Sequence, residues 1–139
     1  FCYLGDPIKV SSIYQSEPWG FKSSNYFLNV VVSYNTELKS TELLLICQNI
    51  ETKLGRETKK KIGYESRLID IDILLFGDLV INTKNLKIPH PLIKERLFVL
   101  EPLLEICDKK ISKIYSSFLK KEKSLEKLKR QNNLNLFDK

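Results

Sequence analysis

The period of apolar and polar positions changes along the chain, and those changes mark its elements. Residues 67–76, Arg67-Leu68-Ile69-Asp70-Ile71-Asp72-Ile73-Leu74-Leu75-Phe76, form an apolar run interrupted by two carboxylates. In a strand Asp70 and Asp72 share one face with Leu68, Leu74 and Phe76, while Ile69, Ile71, Ile73 and Leu75 fill the other. The wholly aliphatic back face predicts a buried, central strand. Residues 8–14 are also β-like, and Glu17-Pro18-Trp19-Gly20 breaks them into a loop with an aromatic at its tip. Residues 25–34 are the next predicted strand, with Tyr26, Leu28, Val30, Val32 and Tyr34 on one face and Phe27, Asn29, Val31 and Ser33 on the other.

Helical spacing appears first at Leu43, Cys47, Ile50 and Leu54, with Ser40 as predicted N-cap and Gly55 as stop; Gln48 and Glu51 lie off that apolar stripe. A polar, basic loop follows over residues 56–66. Gly77-Asp78 reads as a turn, Val80-Ile81 and Leu86-Lys87-Ile88 as short strands, and Pro89-His90-Pro91 as a stiffened connection. Residues 92–98 are expected to be helical and residues 97–106 packed. Ile111, Ile114, Tyr115, Phe118, Leu119, Leu125 and Leu128 then trace one face of an amphipathic helix over residues 109–130, and residues 131–139 should fray.

Composition narrows the class. At 139 residues, with 42% hydrophobic and 29% charged residues, the chain is expected to be a soluble, cytoplasmic domain without a membrane span. Cys2, Cys47 and Cys107 form neither a Cys-x-x-Cys pair nor an even set, so they read as free thiols, and with one histidine a zinc site is not expected. The net charge of +6 is concentrated: residues 109–130 carry nine basic and two acidic groups, whereas residues 1–108 carry thirteen basic and fourteen acidic. Such a segment is more often a solvated helix face than a nucleic-acid site.

Paired carboxylates in apolar surroundings repel one another and lose hydration, which a cation relieves. Mg²⁺ favours carboxylate oxygens, keeps waters and shares substrate phosphates, so Asp70 and Asp72 suit a two-metal platform for phosphoryl chemistry; a solvated strand face paired with surface lysines is the plainer alternative. Arg56, the cluster Lys59-Lys60-Lys61 and Arg67 bring positive charge close to that strand, where a polyphosphate needs it. His90 and Arg96 present two further donors suited to one phosphate group, although loop rigidity alone explains the prolines. Asn29 beside Phe27 can hydrogen-bond and stack a flat heterocycle, or be an edge-strand polar residue near a core aromatic.

The order of these residues resembles the 6-hydroxymethyl-7,8-dihydropterin pyrophosphokinase family over about residues 10–106. The specific parts are the run from Arg67 to Gly77, then Val80-Ile81-Asn82-Thr83, Ile88-Pro89-His90-Pro91 and Arg96-Leu97-Phe98, with Tyr14, Pro18 and Phe27-Leu28-Asn29 upstream. Arg-x-x-Asp-x-Asp followed by Pro-His and Arg is far more specific than Asp-x-Asp alone. The resemblance implies an α+β, ferredoxin-like antiparallel sheet with helices on its faces. It implies pyrophosphate transfer from ATP to a reduced pterin alcohol, with two Mg²⁺ ions on Asp70 and Asp72. It places Asn29 on the pterin edge, Phe27 and Phe98 against the ring, and Pro18, Trp19 and Tyr64 in the pocket wall. Gln48, Glu51, Arg67, Ile73, His90 and Arg96 line the implied ATP site, with Arg56 and the lysine loop closing over it.

Phe27 stands where a tyrosine is common, Tyr64 where a tryptophan is common, and Ser66 where a proline is common. The loop before Arg67 reads one residue longer than in well-known members, leaving open which of Lys59, Lys60 and Lys61 takes the second loop arginine's role. The family's first strand and its Gly-Ser-Asn turn have no counterpart before Phe1, so the chain is expected to be an N-terminally incomplete record. The expected organisation is a catalytic domain over residues 1–108, a basic helix over 109–130 on the same domain, and a frayed tail. A different two-metal nucleotidyltransferase leaves the Pro-His and Phe-x-Asn placements unexplained. A non-catalytic ferredoxin-like RNA-binding module gives no reason for the paired aspartates. No nucleic-acid or membrane partner is expected, and a monomer is slightly favoured.

Overall fold

A computed structural model describes residues 4–16, 27–55 and 69–137, and side-chain surroundings through Ser124. The chain divides into two compact units, residues 1–35 with 92–139 and residues 36–91. Its architecture is α+β, with three α-helices and three antiparallel strand pairs among the described residues.

In the first unit, β1 (Lys9–Val10) pairs with β4 (Val32–Ser33), and β2 (Tyr14–Ser16) pairs with β3 (Phe27–Asn29). The two predicted strands are therefore each interrupted. Lys9 faces Ser33 and Val10 faces Val32, but Tyr14 faces Asn29, so Ser11, Ser12 and Ile13 stand opposite only Val30 and Val31. One extra residue on one strand is a β-bulge. Ser11 closes it: its N–H donates to the Val31 carbonyl at 2.9 Å, and its hydroxyl accepts from the Val31 N–H at 2.9 Å. The side-chain oxygen thus takes the place of a ladder carbonyl, and Ser11 is buried.

Residues 92–98 do not form the expected continuous helix. A 3₁₀ turn covers Ile93–Glu95, Arg96 is extended at φ −123° and ψ 110°, and α2 runs over Leu97–Ile106. Arg96 caps α2 through its carbonyl, which accepts from the N–H groups of Val99 and Leu100. Ile93 before this break and Leu100 after it are both fully buried, as is Pro102, and Leu103 is buried with them. Asp108 begins α3 (Lys109–Phe137): its carboxylate accepts from the Ile111 N–H at 2.9 Å and its carbonyl from the Ser112 N–H, the N-cap arrangement. The helix continues through Phe137 where a frayed tail was expected from Gln131, and Ile114, placed on the apolar stripe by its spacing, is 51% exposed. Among the described side chains of that face Tyr115 is the buried one, its ring centroid 6.4 Å from that of Phe118, and Lys94 Nζ sits 4.9 Å from the Phe118 centroid.

In the second unit α1 covers Ser40–Leu54. Ser40 is its first helical residue rather than its cap; the cap position is Lys39, whose carbonyl accepts from the Leu43 N–H, with no side-chain cap bond. Gly55 ends the helix as expected, its N–H bonded to the carbonyls of Glu51 and Thr52. Cys47 and Ile50 are buried, but Leu54, in the last turn, is mostly exposed. The hairpin of β5 (Ile81–Asn82) and β6 (Lys87–Ile88) pairs Ile81 with Ile88 and Asn82 with Lys87. Its tip is held by Thr83, whose N–H and hydroxyl both donate to the Leu86 carbonyl while its hydroxyl oxygen accepts from the Leu86 N–H.

Residues 69–76 carry no strand ladder among the described residues, which corrects the expectation of a buried, central strand. Ile71, Ile73, Leu74, Leu75 and Phe76 are half-buried rather than buried, and both aspartates are exposed. A central strand needs paired neighbours on both sides to cover its backbone and its faces. Here main-chain bonds run from the His90 N–H to the Leu74 carbonyl at 2.9 Å and from the Leu79 N–H to the Phe76 carbonyl at 3.1 Å. The second closes the predicted turn at Gly77, whose φ of +54° beside a negative φ at Asp78 fits a II′ turn.

Candidate functional site

In the second unit an open cleft of ≈ 240 Å³ is lined by Asp72, Ile73 and His90 together with Leu44, Lys84 and Lys87. Three of the sequence-predicted residues therefore meet. They do so because the Leu74–His90 main-chain bond ties the Pro-His segment alongside the Asp-x-Asp run, and because the β5–β6 hairpin folds residues 84–87 back beside it. Asp70 lies two residues from Asp72 and is exposed like it. Leu44 brings α1 to the cleft. Gln48 and Glu51 follow Leu44 by four and seven residues, hence on the same side of the helix, though neither lines the cleft. Glu51 lies near Cys47, and burial, assisted by that carboxylate, pushes the Cys47 thiol pKa above its ordinary value.

Lys84, Lys87, Asn85 and Leu44 were not singled out from the sequence. The signal was present: the two short strands flanking residues 83–86 imply a hairpin whose tip carries its polar residues to one end. Two lysines beside a carboxylate and a histidine make this cleft suitable for a metal-bound anion. At this size it would take part of a nucleotide rather than the whole of it, since pockets enclosing drug-sized ligands start at about 300 Å³.

In the first unit Phe27 and Asn29 lie two apart on β3, on one face, Phe27 exposed and Asn29 half-buried. The Asn29 amide donates from Nδ2 to Ser16 Oγ at 2.9 Å and reaches the Tyr14 carbonyl at 3.4 Å, so its orientation is set from the neighbouring strand. Arg96 and Phe98 also come together, the guanidinium carbon standing 5.5 Å from the ring centroid. Pro18, Trp19, Arg56, Tyr64 and Arg67, with the lysine cluster, lie outside the described residues.

Among the described residues no three His, Cys, Asp or Glu side chains cluster as a self-sufficient metal site. For Mg²⁺ that is compatible with function, because the ion is commonly held by one or two carboxylates, with waters and substrate phosphates completing its octahedron. Exposed, oxygen-only donors at Asp70 and Asp72 have that chemistry. Among the described residues no helix is long and apolar enough to cross a membrane.

Residues 3–108 match the family model described as 7,8-dihydro-6-hydroxymethylpterin-pyrophosphokinase. A 2-amino-4-hydroxy-6-hydroxymethyldihydropteridine pyrophosphokinase of Aquifex aeolicus is 46% identical over 121 residues, covering 87% of this chain and 74% of that one. The protein of that name from Bacillus subtilis is 48% identical over 99 residues, covering 71% of this chain and 58% of its own length. The folic acid synthesis protein fol1 of Pneumocystis carinii is 44% identical over 99 residues, only 13% of that long chain. The match spans the cleft residues of one unit and the β3 and Arg96–Phe98 residues of the other, and the chain belongs to the 7,8-dihydro-6-hydroxymethylpterin-pyrophosphokinase family.

Proposed function

We infer that this chain transfers pyrophosphate from ATP to 6-hydroxymethyl-7,8-dihydropterin, a step of folate biosynthesis. The observation that carries the reading is the meeting of Asp72, Ile73 and His90 in one cleft within a chain of this family. The pterin hydroxymethyl oxygen forms a bond to the β-phosphorus, the bond from that phosphorus to the α,β-bridging oxygen breaks, AMP departs with that oxygen, and the hydroxyl proton passes to water. Phosphoryl chemistry of this kind asks the protein for position and charge rather than for a covalent nucleophile.

Asp70 and Asp72 would hold Mg²⁺, two ions in the full reading, which when bound neutralises phosphate charge and lowers the pKa of the attacking hydroxyl. His90 and Lys87 would offer donors to the polyphosphate beside Asp72. Arg96 and Arg67 would offset charge on the transferred and leaving groups, and Gln48, Glu51, Ile73 and Arg56 would complete the ATP site. Asn29 would read the pterin edge while Phe27 and Phe98, with Pro18, Trp19 and Tyr64, wall the ring. The proposal includes a cytoplasmic location, supported by free Cys47 and Cys107, and no nucleic-acid partner, since Tyr115 and Phe118 already turn the basic α3 to the protein. Product analysis tests it: with ATP and the pterin alcohol the protein should form AMP in step with pterin diphosphate, and ADP as the nucleotide product would refute it.

A further inference from the structure

The carboxylate of Glu105, in the last turn of α2, accepts from the Ser12 N–H at 2.9 Å and the Ser12 hydroxyl at 2.7 Å on one oxygen, and from the Tyr14 hydroxyl at 2.7 Å on the other. All three donors belong to the bulge or to the residue that restarts the ladder after it. We propose that Glu105 is a positioning residue for pterin recognition, fixing the bulge so that Tyr14 and Ser16 hold the Asn29 amide in place. The proposal rests on the reading of Asn29 as the pterin-edge residue.

Register is the physical link. Were the same residues paired without a bulge, the register of Lys9 with Ser33 would carry on to set Tyr14 opposite Leu28 instead of Asn29. A one-residue slip turns every side chain of one strand to the other side of its partner. Ser16 would then lose its approach to Asn29 Nδ2, now 2.9 Å, and the Tyr14 carbonyl its 3.4 Å contact. Ser11 secures the bulge from within the hairpin through Val31, whereas Glu105 secures it from the helix. These bonds are exposed, and a brace for the unit would be expected to sit in its core, with Ile93 and Leu100. Bulges often stand beside binding sites, where they re-aim a side chain.

The test compares Glu105→Gln, Asn29→Ala and the double variant of the full-length protein, measuring affinity for 6-hydroxymethyl-7,8-dihydropterin and for ATP separately. Glu105→Gln should weaken pterin binding about tenfold, the scale of one lost charged hydrogen bond, with ATP affinity unchanged, and should shift the Asn29 side-chain amide resonances in the ligand-free protein. In the Asn29→Ala background the same change should add less than about twofold, because both act through one amide. Pterin affinity unaltered by Glu105→Gln while Asn29→Ala weakens it would overturn the proposal, as would equal losses for pterin and ATP. If Asn29→Ala itself leaves pterin binding intact, the reading of Asn29 fails and the proposal falls with it, a result distinct from the first. Tyr14→Phe removes one hydrogen bond and keeps the ring, so it serves should Glu105→Gln not fold. A smaller loss of the same selectivity is expected from it, and unchanged pterin affinity would count against the proposal.

Discussion

The His90 N–H donates to the Leu74 carbonyl at 2.9 Å, and this main-chain bond joins the Pro-His-Pro segment to the Asp-x-Asp run. It places a Pro-flanked histidine next to the run that carries both aspartates, so that Asp72 and His90 face one cleft. Neither side chain has to find the other by its own flexibility. Their approach is a property of the backbone, which is what a preorganised charge site requires.

Substitution at the paired carboxylates should therefore separate chemistry from folding. Both are exposed, so Asp70→Asn and Asp72→Asn should each change stability by less than about 1 kcal/mol. Each should lower the rate of AMP formation by about 10² or more, as loss of a key electrostatic group commonly does. Thermal unfolding and initial rates on the same preparations check both halves. Near-normal turnover in either variant would remove the metal role.

The cleft lysines should matter for ATP and not for pterin. Lys87→Ala should raise the ATP KM about tenfold, because a charge-assisted hydrogen bond to phosphate is worth roughly 1.5–3 kcal/mol before solvent screening, and leave the pterin KM unchanged. The effect should shrink as salt rises. Steady-state kinetics at two ionic strengths read it.

Much of the second unit was legible in the sequence. Gly55 and Gly77 each mark a stop or a turn that the backbone uses, and the short apolar pieces around residues 83–86 become a hairpin. Asp72, Ile73 and His90 share a cleft as their spacing suggests, while Lys84, at the hairpin tip, and Lys87, on β6, join them through a fold-back that only the two short flanking strands signal. The failures have a common cause in pairing. Alternation over residues 25–34 and 67–76 reports which side chains share a face, but not whether a ladder continues, and the bulge at Ser11 and the unladdered run at 69–76 break that assumption. The extended Arg96 likewise stands in a stretch with no glycine or proline to announce it, and Asp108 caps α3 where Ser40 fails to cap α1.

The bulge itself should be expensive to unpatch. Ser11→Ala leaves the Val31 N–H without its acceptor at a half-buried place beside the buried Ser11, which costs up to about 1–3 kcal/mol. Ser12→Ala, at an exposed position, should cost less. Denaturant unfolding of the two variants measures the difference, and an equal or reversed order would show that the Ser11 hydroxyl is not replacing a ladder carbonyl.

The Glu105 network has a defined pH window. Hydrogen bonds first from Tyr14 and then from Ser12 hold the Glu105 carboxyl below its ordinary value of 4.5. A depressed carboxyl contributes stability above its unfolded pKa, and that contribution disappears as pH falls through the folded value. The bond to Glu105 raises the Tyr14 hydroxyl above 10.0, so its contribution is complete below 10.0 and is lost as pH climbs beyond the folded value. The network is expected to be intact between these limits. In Glu105→Gln the acid-side fall in stability should flatten, and an unchanged acid limb in pH-dependent unfolding would contradict this.

The β- and γ-phosphoryl groups of ATP are expected to move together to the pterin alcohol. The most direct measurement uses ATP carrying the label on the α-, the β- or the γ-phosphorus, with the full-length protein, Mg²⁺ and 6-hydroxymethyl-7,8-dihydropterin, and follows where each label goes. The β and γ labels should both appear in the pterin product and the α label in AMP, all dependent on the pterin. A β label that stays with ADP, or an α label that enters the pterin product, would contradict it.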